Sequence, residues 1–463
     1  MSRFPIFLTA LAFGVSACAT SPVDEEARAR AETATPLIAA EWQAAAESVR
    51  GEPIGWIEQF NDPTLVALVK EAQENNQDLA AAAANVERAR ALARQAGAAL
   101  SPDLDLSAGS DTSGILDGGD SSNLSLGLQV DWELDVWGRL RAGEAAAIAG
   151  FEAAQADFRF AQYSLAANVA NAYLLSIEAI RQEEITQGTV DALAETARIV
   201  GVRFDNGMSS SQDRALARAE LATAADALEE VQGAKRDAFR ALELLLGRYP
   251  SADVDLKNTL PALPDAPPAG LPSELLERRP DLISAERQIA SAIGSLESAK
   301  AAKLPRLSLT TTIGGSSDDL SNILDPENVA WSLISNLVVP LLDGGRLDSE
   351  IDIESADLDE AVANYVQAAL TAFSEVETAL DQSTVLARRE ANLKVAVKES
   401  EEALRIARVS YQEGETDLID VLSIQQTVND AQSGLLSVER AMRETYIDLN
   451  LALGGDWQSA DLQ

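Results

Sequence analysis

From Leu124 the chain alternates. Leu124, Leu126, Leu128, Val130, Trp132 and Leu134 are apolar, and Ser125, Gly127, Gln129, Asp131 and Glu133 between them are polar or small. A period of two predicts a strand with one apolar face. A second such run is Trp331, Leu333, Leu337, Val339 and Leu341, with Ser332 and Asn336 opposite and Ile334 and Val338 blurring the contrast. Each run has a partner upstream: Leu104 and Leu106 after Pro102, and Leu307, Leu309 and Ile313 after Pro305. Four strands are therefore expected, at about 102–112, 122–135, 305–315 and 329–341. The Gly- and Asp-rich stretches from Gly114 to Ser122 and from Gly314 to Asn328 read as exposed hairpin loops. Strands of about ten residues can cross a bilayer when tilted, although the same alternation suits a soluble sandwich. In lipid, four strands leave open edges whose unpaired backbone groups cost several kcal/mol each, so insertion requires more than one chain. Trp132, Trp137 and Trp331 stand near strand ends, a place for an aromatic belt or for core packing.

Elsewhere the period changes. Leu358, Val362, Tyr365, Ala369, Phe373, Val376 and Leu380 step by threes and fours, and Phe151, Ala154, Phe158, Ala161 and Leu165 do the same. This is the seam of packed helices. No Pro interrupts the chain between Gly138 and Pro250, or after Gly345. A helix continuous from about Arg139 to Val200 would be about 90 Å long at 1.5 Å per residue, more than a globular core needs. Abundant Ala lets neighbouring helices approach, in a wall or in a simple antiparallel hairpin. Arg203-Phe204-Asp205-Asn206-Gly207 and Ser410-Tyr411-Gln412-Glu413-Gly414 read as helix-ending turns, with Gly207 and Gly414 at positive φ. The helices that follow open with Ser210 three residues before Asp213 and Asp417 three before Asp420, which predicts capping at both starts.

The two turns resemble each other because the chain is duplicated. Gly138-Arg139-Leu140 matches Gly345-Arg346-Leu347 at a shift of 207, and the same shift pairs Phe204 with Tyr411, Gly207 with Gly414, Asp213 with Asp420 and Leu246-Gly247 with Leu453-Gly454. Upstream, Asp78-Leu79 pairs with Asp281-Leu282 and Pro102 with Pro305 at a shift of 203. The difference falls in the hairpin, where loops absorb length. The expected organisation is a first repeat at 61–250, a linker at 251–272 whose Pro- and Ala-rich part runs from Pro261 to Pro272, a second repeat at 273–457 and a tail at 458–463.

Composition narrows the chemistry. There is no His and a single Cys, which removes His-based acid/base catalysis, His-ligated metals and intrachain disulfides. Enzyme chemistry is therefore not expected, and neither a cofactor nor a metal site is. A net charge of -38 disfavours nucleic acid and favours cations. Arg3, the apolar run from Phe4 to Val15, and Ser16-Ala17 form a signal peptide at 1–17. Its Val15-Ser16-Ala17-Cys18 ending resembles a bacterial lipobox, which makes Cys18 the candidate lipidation site and 18–60 a lipidated N-terminal segment. By that resemblance Ala19 directs the chain to the outer membrane.

Seven segments in order carry a wider resemblance: Phe60-Asn61-Asp62-Pro63 leading into Asn76-Gln77-Asp78-Leu79, Trp132-Glu133-Leu134-Asp135-Val136-Trp137-Gly138-Arg139-Leu140, Arg279-Pro280-Asp281-Leu282, Leu304-Pro305-Arg306-Leu307-Ser308-Leu309, Pro340-Leu341-Leu342-Asp343-Gly344-Gly345-Arg346 and Leu453-Gly454-Gly455-Asp456-Trp457. The chain resembles the outer membrane efflux protein family of TolC-like channels, in its lipoprotein branch. The resemblance implies a mixed α and β fold. In it, four strands per chain would close a twelve-stranded membrane β-barrel in a homotrimer, continuing into a long periplasmic α-helical barrel. It implies a periplasmic adaptor and an inner-membrane efflux pump as partners, outer-membrane lipid around the barrel, and drugs or other small solutes as cargo. Adaptor docking would fall on Arg203, Phe204, Gly207, Val409, Tyr411 and Gly414. Asp420 would face a periplasmic aperture with Asp213 nearby, and Ser423 stands where some relatives carry a second acid. Gly138, Arg139, Gly345 and Arg346 would form the strand-to-helix junctions. A periplasmic docking protein without a pore, or an exit channel for polypeptides, are the alternatives.

Overall fold

The computed structural model describes residues 42–44, 55–114, 120–267 and 272–455. The expected signal peptide, Cys18 and the expected 458–463 tail lie outside the described residues. Among those described, the elements run α1 (Pro63–Asn75), α2 (Gln77–Ala98), β1 (Asp103–Gly114), β2 (Asp120–Leu134), α3 (Arg139–Asp205), α4 (Ser211–Leu245), α5 (Pro272–Arg278), α6 (Pro280–Ala301), β3 (Arg306–Ser317), β4 (Val329–Val338), α7 (Arg346–Glu413) and α8 (Leu418–Ala452). No described helix is long and apolar enough to cross a membrane. The chain divides into two compact units. Among the described residues, one takes in those within 84–156 and 283–368, the other those within 42–83, 157–282 and 369–455.

The first unit carries one antiparallel sheet in the order β1-β2-β3-β4. Register sorts its side chains by face. Leu106 pairs with Leu128, Leu128 with Ile313 and Ile313 with Trp331, so one apolar row crosses all four strands. On the other face Asp105, Gln129, Thr312 and Ser332 form the matching row. The apolar face is bare in the single chain: Leu106 is 71% exposed, Leu333 63% and Trp331 76%. Trp132, Trp137 and Trp331 are not core residues. Trp132 and Trp137 are both partly exposed, and their indole N–H groups donate to the carbonyls of Leu100 (3.0 Å) and Pro305 (2.7 Å).

The strand limits differ from expectation: β1 runs on to Gly114 and β2 begins at Asp120, each two residues past its expected limit. β3 continues through Gly314 to Ser317, because paired glycines let neighbouring backbones close in: a Cβ on Gly314 would lie 2.6 Å from the Leu126 carbonyl oxygen. β4 stops at Val338, ahead of Pro340, so Val339 and Leu341 lie outside the strand. Ile334 falls on the polar face, opposite Thr310. In the same unit α3 and α6 touch closely. A Cβ on Gly294 would lie 2.9 Å from Ala142 O, and Ser291 Oγ donates to Ala146 O at 2.9 Å.

The second unit holds the larger apolar core. Phe60, Leu65, Tyr173, Leu174, Ile177, Leu242, Leu246 and Ile447 are all buried in it. Asp62 organises its entrance. Its carboxylate accepts from Thr64 N (2.9 Å) to cap α1, and from the buried Tyr173 hydroxyl (2.6 Å). Pro63 then occupies the first helical turn, where its missing N–H costs nothing. Burial and the Asp62 carboxylate push the Tyr173 hydroxyl well above the ordinary tyrosine range.

Side-chain bonds within this unit give the helix order. Lys235 on α4 pairs with Glu183 on α3. Arg181, Gln182 and Thr189 on α3 bond Glu439, Ser433 and Asn429 on α8. Gln425 and Gln432 on α8 bond Arg408 and Glu401 on α7. The order is α4-α3-α8-α7, with α4 and α7 at the two margins.

Candidate functional site

The two helix-ending turns lie together in the second unit and repeat one hydrogen-bond pattern. Met208 N donates to Arg203 O at 2.8 Å and Gly207 N to Phe204 O at 2.9 Å. Glu415 N donates to Ser410 O at 2.8 Å and Gly414 N to Tyr411 O at 3.1 Å. This six-to-one closure requires a left-handed residue, supplied by Gly207 at φ +72° and Gly414 at φ +81°.

Arg203 joins the turns. Its Nη1 donates to the carbonyls of Tyr411 and Gln412, both at 3.0 Å, and its guanidinium stands 5.0 Å from the Tyr411 ring centre. A cation is thereby placed on the last carbonyls of α7, the negative end of that helix. Tyr411 is buried with Val200, Leu404, Ala407, Leu418 and Val421, and its hydroxyl has no hydrogen-bond partner. Phe204 is half-buried beneath Arg214, whose guanidinium lies 4.0 Å from its ring. Val409 points away, 47% exposed. It sits at the end of an open groove of about 930 Å³ whose walls include Ile185, Ala192, Leu404, Arg405 and Arg408.

The expected symmetry of capping fails. At α4, Ser210 Oγ accepts from Asp213 N (3.0 Å) while Asp213 Oδ2 accepts from Ser210 N (2.9 Å), a reciprocal box. These bonds, the Ser210 backbone N–H first, hold the Asp213 carboxyl below the usual range. At α8 the Asp417 side chain makes no cap bond, and Asp420 accepts instead from Thr416 Oγ1 at 2.8 Å. Asp420 remains exposed, as does Ser423. The Asp213 carboxylate is thus occupied in its own helix, whereas Asp420 presents its charge to solvent.

The strand-to-helix junctions belong to the first unit. Gly138, Gly344 and Gly345 all have positive φ. Arg139 grips Glu133 with one guanidinium edge, its Nε lying 3.2 Å from Oε1 and its Nη2 2.9 Å from each carboxylate oxygen, and Arg346 pairs with Glu350 at 3.2 Å. The residues that hold the helix starts were not singled out from sequence. Asp135 accepts from Leu140 N (3.0 Å) and Arg141 N (3.1 Å), and Asp343 accepts from Gly345 N (3.0 Å) and Leu347 N (2.9 Å). Burial pushes the Asp135 carboxyl up, but the two backbone N–H groups and Arg141 outweigh it and leave it lowered. Asp343 is lowered chiefly by the Leu347 N–H. An Asp shortly before a helix is an N-terminus signal, and both lie inside the segments that carried the resemblance.

Among the described residues, no group of His, Cys, Asp and Glu is arranged to hold a metal ion. The tip offers turns, an anchored Tyr and an exposed acid, an arrangement for contact and charge.

Comparison with known proteins adds a family. The family model for outer membrane efflux proteins matches residues 68–248 and 271–455, one stretch in each half. Outer membrane protein OprJ of Pseudomonas aeruginosa is 31% identical, over 98% of this chain and 96% of its own. The cation efflux system protein CusC of Escherichia coli is 31% identical over 87% and 88%. Among solved structures, the outer-membrane channel OprN superposes with a TM-score of 0.85 at 30% identity, covering 92% of this chain and 98% of that one.

Proposed function

The chain belongs to the outer membrane efflux protein family, and from that premise we propose that it is the outer-membrane channel of a tripartite efflux system. The proteins of this family are channels and not enzymes. Solutes delivered by an inner-membrane pump and a periplasmic adaptor cross the outer membrane through it, with no bond made or broken here.

The observation that carries this reading is the sheet. It has one apolar face, one polar face and two free edges, β1 and β4. Free edges and a bare apolar face are costly in isolation, and ring closure with lipid outside removes both costs. The helix order leaves margins of its own at α4 and α7. A surface with unlike margins closes by head-to-tail contact. The closed assembly is a homotrimer with twelve strands, its apolar face toward lipid and its polar face toward the lumen. Cys18 carries the lipid anchor in the outer membrane of a Gram-negative cell, after removal of residues 1–17.

At the tip, Gly207 and Gly414 shape the two turns, Arg203 fastened to the turn of the buried Tyr411 holds them together, and exposed Val409 with half-buried Phe204 offers the adaptor its docking surface. Three copies of Asp420 converge at the aperture, where like charges repel one another and attract cations. Ser423 leaves that ring single. Asp213, engaged in its cap, adds its charge beside that aperture.

The test is deletion of the gene followed by susceptibility to dyes, detergents, antibiotics and metal salts, with complementation by the intact gene. Greater sensitivity to one chemical class, restored by the gene, is expected and names the cargo. Unchanged sensitivity across all classes overturns the efflux reading.

A further inference from the structure

We propose that the loop between β3 and β4, from Asp318 to Asn328, is a membrane-surface anchor that seats Leu320 and Leu324 among the lipid headgroups bordering the sheet. This rests on the reading that the apolar face meets lipid. The loop lies at the strand ends away from the junctions with α3 and α7.

It is a fixed structure. Asp319 accepts from Ser321 N at 2.9 Å to start a short 3₁₀ turn at Leu320–Asn322. Asn328 closes it, donating from Nδ2 to Asn322 O at 2.8 Å and accepting at its carbonyl from Ser316 N at 3.2 Å. Ile323 tucks in at 5% exposure.

Its seat is specified by one glycine. The Ile323 carbonyl oxygen occupies the space where a side chain on Gly315 would begin, so no other residue fits at 315 without moving the loop. Gly315 has the same strand parity as Ile313 and pairs with Val329 of β4, so its missing side chain belongs to the apolar face. The loop therefore folds over the apolar face and not across the polar one.

What it holds there is apolar. Leu320 and Leu324 are 70% and 68% exposed, beyond Trp331 at 76% and Ile313 at 51% on the same face. A loop this well bonded does not leave two leucines bare by disorder. They extend the apolar surface of the sheet past its last strand pair. Asp318, Asp319, Asp325 and Glu327 flank them, and four carboxylates hold the segment at the water boundary instead of in the hydrocarbon. Leucines beside charges at the edge of an apolar band suit the interface.

The experiment uses the full chain in vesicles of phosphatidylethanolamine and phosphatidylglycerol, with an environment-sensitive fluorophore on Leu320→Cys, Leu324→Cys, Asp325→Cys or Leu333→Cys, and the unsubstituted chain as the blank. Quenching by lipids carrying a headgroup-level nitroxide is compared with quenching by aqueous iodide. Labels at 320 and 324 are expected to be quenched by lipid at least threefold more than the label at 325, and Gly315→Val is expected to return the 324 label to iodide while leaving the 333 label in lipid. Iodide-only quenching at 320 and 324, with lipid quenching at 333, overturns the anchor and leaves the membrane reading standing. If the 333 label also fails to meet lipid, the reading of the sheet falls and the anchor falls with it.

Discussion

Arg279 reaches the last turn of α8 from the start of α6: its Nη1 donates to the carbonyl of Ala452 at 3.1 Å. In the first repeat, Asn76 does the same for α4, donating from Nδ2 to Leu245 O at 3.0 Å. The duplication is therefore one of bonds as well as letters. Each helix pair is tied to the C-terminus of a later helix by a residue at its threshold. Beside each tie a left-handed glycine allows close approach, Gly247 against Asn75 and Gly454 against Arg278.

Arg279 is nearly inaccessible and also holds Asp281 and Glu375, so Arg279→Ala removes three charge-assisted bonds and leaves the Ala452 carbonyl without its partner. The carboxylates are 25% and 47% exposed and water takes up part of the loss, so the cost is about 2 kcal/mol. Asn76→Ala removes neutral bonds and should cost about 1 kcal/mol. Urea unfolding of the purified protein should rank the two in that order. Arg279→Lys should not restore stability, because an ammonium cannot bridge these partners as the fork does.

Capping differs between the two tips and should be measurable. Ser210→Ala removes a cap bond and is expected to cost about 1 kcal/mol. Asp417→Ala removes none and should be close to neutral. Amide exchange near the start of α4 should quicken in the first variant, and that near the start of α8 should not change in the second.

Acid should loosen the junctions. The carboxyls of Asp135 and Asp343 are lowered in the folded protein, so each contributes stability that is fully present above its unfolded pKa and is lost as pH falls through the folded one. Stability measured from neutral pH downward should fall on the acid side. Asp135→Asn and Asp343→Asn should each be less stable at neutral pH and lose less on acidification.

The aperture reading makes an electrical prediction. Asp420→Asn should reduce the preference for cations in single-channel recordings. Ser423→Asp places a second acid one helical turn on and should introduce block by divalent cations that the parent lacks. Equal selectivity in parent and Asp420→Asn channels would remove Asp420 from the passage.

The period of two from Leu124 to Leu134 revealed a strand because one face is apolar throughout, and register then carried the same face across to Trp331. The second hairpin was harder to read. Gly314 and Gly315 look like loop residues in the sequence, yet they continue β3, since their role is close approach and not turning. At the tips, Gly207 and Gly414 were legible as left-handed positions, but the link from Arg203 to Tyr411 was not. That link joins residues more than 200 apart through a backbone carbonyl, which carries no side-chain signal. Asp417 shows the opposite failure. Its spacing to Asp420 suits a cap, but Thr416 takes the Asp420 carboxylate.

The central claim is tested most directly by adding the purified full-length protein to a planar lipid bilayer and recording current at fixed voltage in a potassium chloride gradient. Discrete conductance steps with a reversal potential showing cation preference are predicted. An absence of steps from protein shown to be inserted in the same membrane would contradict the account and favour a docking protein without a pore.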